Sequence, residues 1–361
     1  MKVRVNREEF AQAMGAAVAS INPKTFKDIL KCVRLDVAAD VMTVSATDLE
    51  IGLTYSCSQI ETQEPGATLV DADLLRQIVS NCGDEVLAIE TDKSKLFVRG
   101  QSRCFDLSAT WDNSDFPPIP TMEGKEDYQI DFAVLQAAIN RTVFAVAKES
   151  TRYALNGLQF EFKGKELRLA ATDGRRLAVE TILIPKGSAK PALLPPRFAR
   201  LLARLSCGEG AVAQIKVLPN LIFVKSGAVS TSSTLVEGNF PEIDQHLSPL
   251  PNSTVISAAE WLAALKSASP LVSIETSGVK HHSGESFVTL RGRRAEKGGA
   301  EISVPHDGKI SDFCCDWRYM AEGLAAIGKE DVAVWTENNR RPVILKSGGW
   351  SYVLMPINWT E

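Results

Sequence analysis

Histidine, paired cysteine and long apolar runs are what this sequence has least of. Only 4 His occur in 361 residues (His246, His281, His282, His306). None falls in a Ser–His or Cys–His constellation whose partners the sequence brings together, which leaves nucleophilic catalysis without support. The 7 Cys (Cys32, Cys57, Cys82, Cys104, Cys207, Cys314, Cys315) are scattered, odd in number and free of any CxxC pair. That argues against a disulfide framework or a zinc site and suits a reducing cytoplasm. Neither GxxxxGK[ST] nor GxGxxG is present, so no phosphate-cradling loop is expected. No stretch of about 18 uncharged apolar residues exists, so no membrane span is expected. The start, Met1 to Glu9, lacks the apolar core of a secretory signal. Excess positive charge is missing too: 40 Lys and Arg face 44 Asp and Glu, a net charge of −4. On average that discourages nucleic acid, although an average says nothing about where charges sit.

What is present is a soluble, globular composition, 45% apolar and 23% charged, with length for two or three domains. The chain also repeats itself. Asn6 is a predicted helix N-cap, with Glu9 three residues on and Phe10 and Met14 on one face. Asp131 repeats the pattern with Leu135 and Ile139. Ser257 repeats it with Glu260, Trp261 and Leu265, here as a Ser-x-x-Glu capping box. The caps fall 125 and then 126 residues apart. Strands running into turns recur at Val41–Asp48 and Leu167–Gly174, with Asp48 and Asp173 again 125 apart. The third copy, at Phe287–Leu290, carries a basic loop instead.

A second helix is predicted in each repeat, over Ala72–Cys82, Pro196–Cys207 and Asp316–Ile327. Strands follow at Leu96–Val98, Ile222–Val224 and Val343–Leu345. Pro-containing connections succeed Phe116-Pro117 and Phe240-Pro241, as stiff linkers do. The expected class is α+β with mostly antiparallel sheets. Three modules are expected, over residues 1–122, 123–248 and 249–361, each with two helices.

Divided this way, the charge is −6, +3 and −1. The stretch Pro196–Cys207 holds Arg197, Arg200 and Arg204 on one helical face and no acid. The first helix of the same module is expected to add Arg141 and Lys148, and Lys24, Lys27 and Lys31 cluster in the first. A solvated helix face explains such a pattern, as does a site for an anion such as phosphate backbone.

The stretches Thr151–Gly157 and Ala171–Val179, with Glu237–Pro241 and Tyr352–Ile357, resemble the bacterial DNA polymerase III beta subunit family, the sliding clamps. The resemblance spans all three repeats, most specifically the middle one. It implies three α+β modules per chain in a head-to-tail homodimeric ring, helices lining the hole and sheets outside. It implies a non-catalytic processivity factor with no cofactor and no metal, cytoplasmic and nucleoid-associated, that encircles duplex DNA without reading bases. Lys24, Arg141, Lys148, Arg197, Arg200 and Arg204 would then face DNA. The family's pocket for a linear motif maps onto Arg152, Leu155, Thr172, Gly174, Arg176, Leu177, Pro241, Val353, Met355 and Pro356, with Tyr319 at its rim. The implied motif-bearing partners are the replicative polymerase catalytic subunit, the clamp loader, repair polymerases and mismatch-repair proteins. Read without the resemblance, Asp173-Gly174 is equally a tight turn, and Met355-Pro356 an edge-strand ending. Ala154, Gln245, His246 and the residues after Pro356 depart from the family pattern, and Trp359 is placed to cover part of the pocket.

Enzymatic readings find little to build on. His281-His282 with Glu285 sits in Ser277–Glu285, which reads as a Gly- and Ser-containing loop unable to set two ligands on one face. Adjacent Cys314 and Cys315 are poorly disposed to bridge one another. Arg291, Arg293, Arg294 and Lys297 read as a solvated basic hairpin loop. The rivals to a clamp are a hydrolase with an unrecognised site and a repeat scaffold that binds only proteins.

Overall fold

A computed structural model describes the whole chain except residues 110, 149–154, 186–188, 249 and 359–361. Arg152, Ala154 and Trp359 therefore lie outside the described residues. Backbone contacts gather into two compact units, residues 1–136 with 184–235, and residues 137–183 with 236–361.

Among the described residues, six α-helices punctuate antiparallel sheets: α1 (Arg7–Ser20), α2 (Ala72–Asn81), α3 (Phe132–Asn140), α4 (Pro196–Leu202), α5 (Ala258–Ala268) and α6 (Trp317–Ile327). The predicted caps account for three starts. Asn6 Oδ1 accepts from the amides of Glu8 and Glu9, Asp131 Oδ1 from Val134, and Ser257 Oγ from Glu260. Phe10, Met14, Leu135, Ile139, Trp261 and Leu265 are all fully buried, so the i, i+4 spacing marks the core face. In α1, Glu9 does not reach back to the Asn6 amide. Glu9 instead accepts from the amides of Ser58 and Gln59, while Asn6 N donates to Gln59 O.

Helix α4 is shorter than the predicted Pro196–Cys207. The Gln136 side-chain amide donates to the carbonyls of Leu202 and Leu205 at 2.9 and 2.8 Å, satisfying the end of the helix from outside. Another correction concerns Ser277–Glu285. Gly278–Ser283 is a strand in the order Gly298–Pro305, Phe287–Arg294, Gly278–Ser283, Phe313–Asp316. Strand alternation buries His281 and exposes His282.

The largest sheet of the first unit runs Tyr128–Asp131, Val212–Val217, Leu221–Ser226, Val229–Thr234, Ile51–Cys57, Met42–Thr47, Cys32–Val37, Gly66–Asp71. Its centre joins the first predicted module to the second, with Val229 opposite Tyr55 and Ser233 opposite Ile51. A similar join in the second unit sets Arg176–Leu183 against Trp350–Leu354. Main-chain ladders therefore continue across sequence boundaries that Pro-rich linkers mark. Beside the second join, α6 approaches through Gly323, where a Cβ would lie 2.6 Å from the Tyr352 ring.

Candidate functional site

The site grows from one turn. Strand Glu166–Thr172 meets strand Arg176–Leu183 through Asp173-Gly174-Arg175. Asp173 Oδ1 accepts from the amides of Arg175 and Arg176 at 2.9 and 3.1 Å. Thr172 Oγ1 donates to Arg176 O at 2.6 Å and accepts from Gly174 N at 3.1 Å. Gly174 takes φ +85°, which a side chain would resist. The turn reading is correct, and the same turn also shapes a pocket. Across the join Leu177 faces Val353, and Met355 N donates to Arg175 O at 2.9 Å.

The resulting cavity, about 310 Å³, is lined by Leu155, Thr172, Gly174, Arg175, Arg176, Leu177, Asn239, Pro241, Glu242, Ile243, His246, Val353 and Met355. Its floor is continuous with the buried cluster of Ala170, Leu177, Val179, Ile243, Ile344 and Val353. The wall at residues 243–247 is strapped down. Arg168 binds the Asp244 carboxylate and donates to Glu161 at 2.8 Å, while Lys346 Nζ donates to Leu247 O at 3.0 Å. The Arg168 bond holds the Asp244 carboxyl below its ordinary pKa.

Arg176 is the fixed polar element. Its side chain is 4% exposed and forms ion pairs with Asp173, at 3.0 Å, and Glu322. Nη2 donates to Phe144 O at 2.9 Å, and the guanidinium lies over the Tyr319 ring at 4.3 Å. Burial opposes its charge. Tyr352 and the Glu322 and Asp173 carboxylates more than offset that, so its pKa stands above the ordinary arginine value.

Of the residues the resemblance assigned to the pocket, Leu155, Thr172, Gly174, Arg176, Leu177, Pro241, Val353 and Met355 line it together. Tyr319 does not. It lines a neighbouring, more polar cavity of about 440 Å³ with Lys148, Asp173, Arg175, Arg176, Arg318 and Glu322. Pro356 is half-buried and does not line the pocket. Arg175, Asn239, Glu242 and Ile243 were missed, and His246, named as a departure from the family pattern, also lines it. Their signal was adjacency to the Asp173-Gly174 turn and to Pro241, which spacing alone does not turn into a wall.

The basic residues divide. Lys24, Arg200, Arg204 and Lys148 are exposed. Arg197 is not free as the acid-free helix face suggested: it forms an ion pair with Asp48 and donates to Ser20 O at 2.8 Å. The acid comes from 149 residues away, out of reach of any local reading. Arg141 is likewise engaged by Glu330 at 2.5 Å and Glu180 at 3.8 Å. Burial pushes the Glu180 pKa up against Arg141's pull. Lys24, Arg197, Arg200 and Arg204 belong to the first compact unit, Arg141 and Lys148 to the second.

His281 is a core histidine. Its ring stacks on Phe313 at 4.3 Å and accepts from Trp261 Nε1 at 3.2 Å, and burial drives its pKa down to about 3. His282 pairs with Asp312 at 2.6 Å. Burial raises the thiols of Cys57 and Cys314 to about 12. Among the described residues no three or more His, Cys, Asp or Glu converge as a metal site, and no helix is long and apolar enough to cross a membrane.

The pocket thus joins an apolar floor to one fixed, ion-paired guanidinium, the composition common to small-ligand sites. Comparison with known proteins names the class. Residues 1–120 match the family model for the N-terminal domain of the DNA polymerase III beta subunit, and residues 129–242 that for its central domain. The beta sliding clamp of Proteus mirabilis is 28% identical over 369 residues, covering 99% of this chain and all of its own. The Escherichia coli K12 beta sliding clamp is 27% identical with the same coverage. The crystal structure of a Pseudomonas aeruginosa sliding clamp bound to griselimycin superposes with TM-score 0.91 at 24% identity, over 99% of this chain and all of its own. The chain belongs to the DNA polymerase III beta subunit family, the sliding clamps, which are non-catalytic processivity factors accessory to the polymerase.

Proposed function

We propose that the chain forms half of a head-to-tail homodimeric ring around duplex DNA, with three clamp modules over residues 1–122, 123–248 and 249–361. Three capped helices in register, and family matches over the first two modules, support the division. Exposed Lys24, Lys148, Arg200 and Arg204 contact phosphates without reading sequence, leaving the ring free to slide. Arg197 and Arg141 face DNA with them, each held by an ion pair within its own compact unit. The ring works at the nucleoid in the cytoplasm.

The pocket holds a linear motif from the replicative polymerase catalytic subunit, the clamp loader, repair polymerases and mismatch-repair proteins. Its apolar floor of Leu155, Leu177, Val353 and Met355 beside immobile Arg176 is the observation that carries this reading. Two measurements test it. Loaded protein should be retained on circular DNA and lost from linear DNA; equal retention refutes encirclement. Leu177→Glu places a charge in the floor and should weaken motif-peptide binding at least about 100-fold, on a burial cost of several kcal/mol for an unpaired charge. Unchanged binding refutes the pocket.

A further inference from the structure

Phe26 is 100% exposed, more than any other large apolar side chain among the described residues. It lies in the connection between α1 and a 3₁₀ turn at Asp28–Lys31. That connection is held by bonds. Asn22 Oδ1 accepts from Lys24 N at 3.0 Å, Asn22 O from Thr25 N at 3.1 Å, and Lys27 O from Leu30 N at 3.0 Å. Lys24 and Lys27 flank the ring, both exposed, and among the described residues neither makes an ion pair, whereas Lys31 pairs with Asp28. Arg197 of α4 grips the Ser20 carbonyl at the end of α1, so the connection stands beside the helix that presents Arg200, with Arg204 just past its end.

We infer that Phe26 stacks on an unpaired base of single-stranded DNA, with Lys24 and Lys27 on the flanking phosphates. The inference rests on the DNA-clamp reading above. A lone exposed aromatic ring between free cations matches a nucleotide, whose flat face is apolar and whose backbone is anionic. Wedging into paired DNA would require unstacking at every step, at odds with sliding. A primer–template junction offers bases already unstacked. Phe26 thereby gives the ring a preference for such junctions over uniform duplex.

The test uses the full-length protein, a labelled duplex with a single-stranded oligo-dT tail on the template strand, and its blunt counterpart. The tail should tighten wild-type binding about 5- to 100-fold. Phe26→Ala should abolish that gain and Phe26→Trp should keep it. Lys24→Ala with Lys27→Ala should lower the salt slope on tailed DNA by about 1.4, and Phe26→Ala should leave the slope unchanged. A wild-type protein indifferent to the tail overturns the inference. So does a gain that survives Phe26→Ala, or an equal loss by Phe26→Ala on blunt duplex. Retention on circular DNA is measured in parallel: its absence in the wild type fails the clamp reading, while retention without a tail effect fails only the stacking contact.

Discussion

Arg176→Ala is the perturbation whose cost the site defines most closely. The guanidinium makes charge-assisted bonds to Asp173 and to Phe144 O, each worth about 1.5–3 kcal/mol. Stacking over Tyr319 adds about 1 kcal/mol. The Glu322 pair adds little, because that carboxylate is 47% exposed and screened. Against these stands the desolvation of a nearly buried cation, several kcal/mol. Asp173 also keeps two backbone amides after the arginine is gone, so it is not stranded.

The balance is a local loss of about 3 kcal/mol for Ala, part of it from the cavity left by the aliphatic stem. Arg176→Met fills that cavity without the charge and should cost about 1–2 kcal/mol. The chain has two compact units, so the readout should be local: hydrogen exchange at the amides of Arg175, Arg176 and Met355, whose acceptors lie at this turn and join. Protection should fall about 100-fold in Arg176→Ala and about 10-fold in Arg176→Met, at 1.4 kcal/mol per factor of ten. Unchanged protection in Arg176→Ala, or a larger loss in Met than in Ala, would refute the reasoning.

His281 carries a pH signature. With its pKa near 3 in the fold and about 6.5 unfolded, the unfolded chain binds the extra proton between those values. Its contribution is constant above pH 6.5 and is lost as pH falls, by about 1.4 kcal/mol per unit, so urea titrations of wild type and His281→Gln should differ in slope over that window and nowhere above it. Asp48→Ala removes the ion-pair partner of Arg197, which keeps Ser20 O, and the acceptor of the Glu50 and Ile51 amides, and should cost about 3 kcal/mol, against about 2 for Arg197→Ala, with a double variant less than additive by urea unfolding. Leu49 sits at φ +77° where the equivalent turn has Gly174, and is 56% exposed. Relief of about 1–2 kcal/mol of strain outweighs the entropy that glycine adds to the unfolded chain, so Leu49→Gly should raise the unfolding midpoint; a lowered midpoint would contradict this.

The helix caps were legible because a cap is a contract between residues two or three apart, and Asn6, Asp131 and Ser257 each honour it. The threonine–aspartate turns were legible for the same reason. Thr47 and Asp48 repeat the bonding of Thr172 and Asp173 almost bond for bond. Long-range pairing was not legible. A basic triplet at helical spacing looks the same whether or not an Asp48 waits across the fold, and Arg197 was therefore misjudged. Gly278 and Gly284 make a strand look like a loop, and two adjacent histidines carry no alternation to show that one is buried and the other exposed. Val353 and Met355 reach the pocket only across the sheet join, where Leu177 meets Val353 with no local sequence pattern linking them.

That join, and its counterpart between Val229–Thr234 and Ile51–Cys57, has a mechanical meaning. Each ladder runs through five residue pairs, so bending the chain there would shear a row of main-chain hydrogen bonds together. A flexible tether gives way one torsion at a time, whereas a ladder resists until it fails. Within its own unit each seam is therefore a stiff lateral splice that yields as a row or not at all.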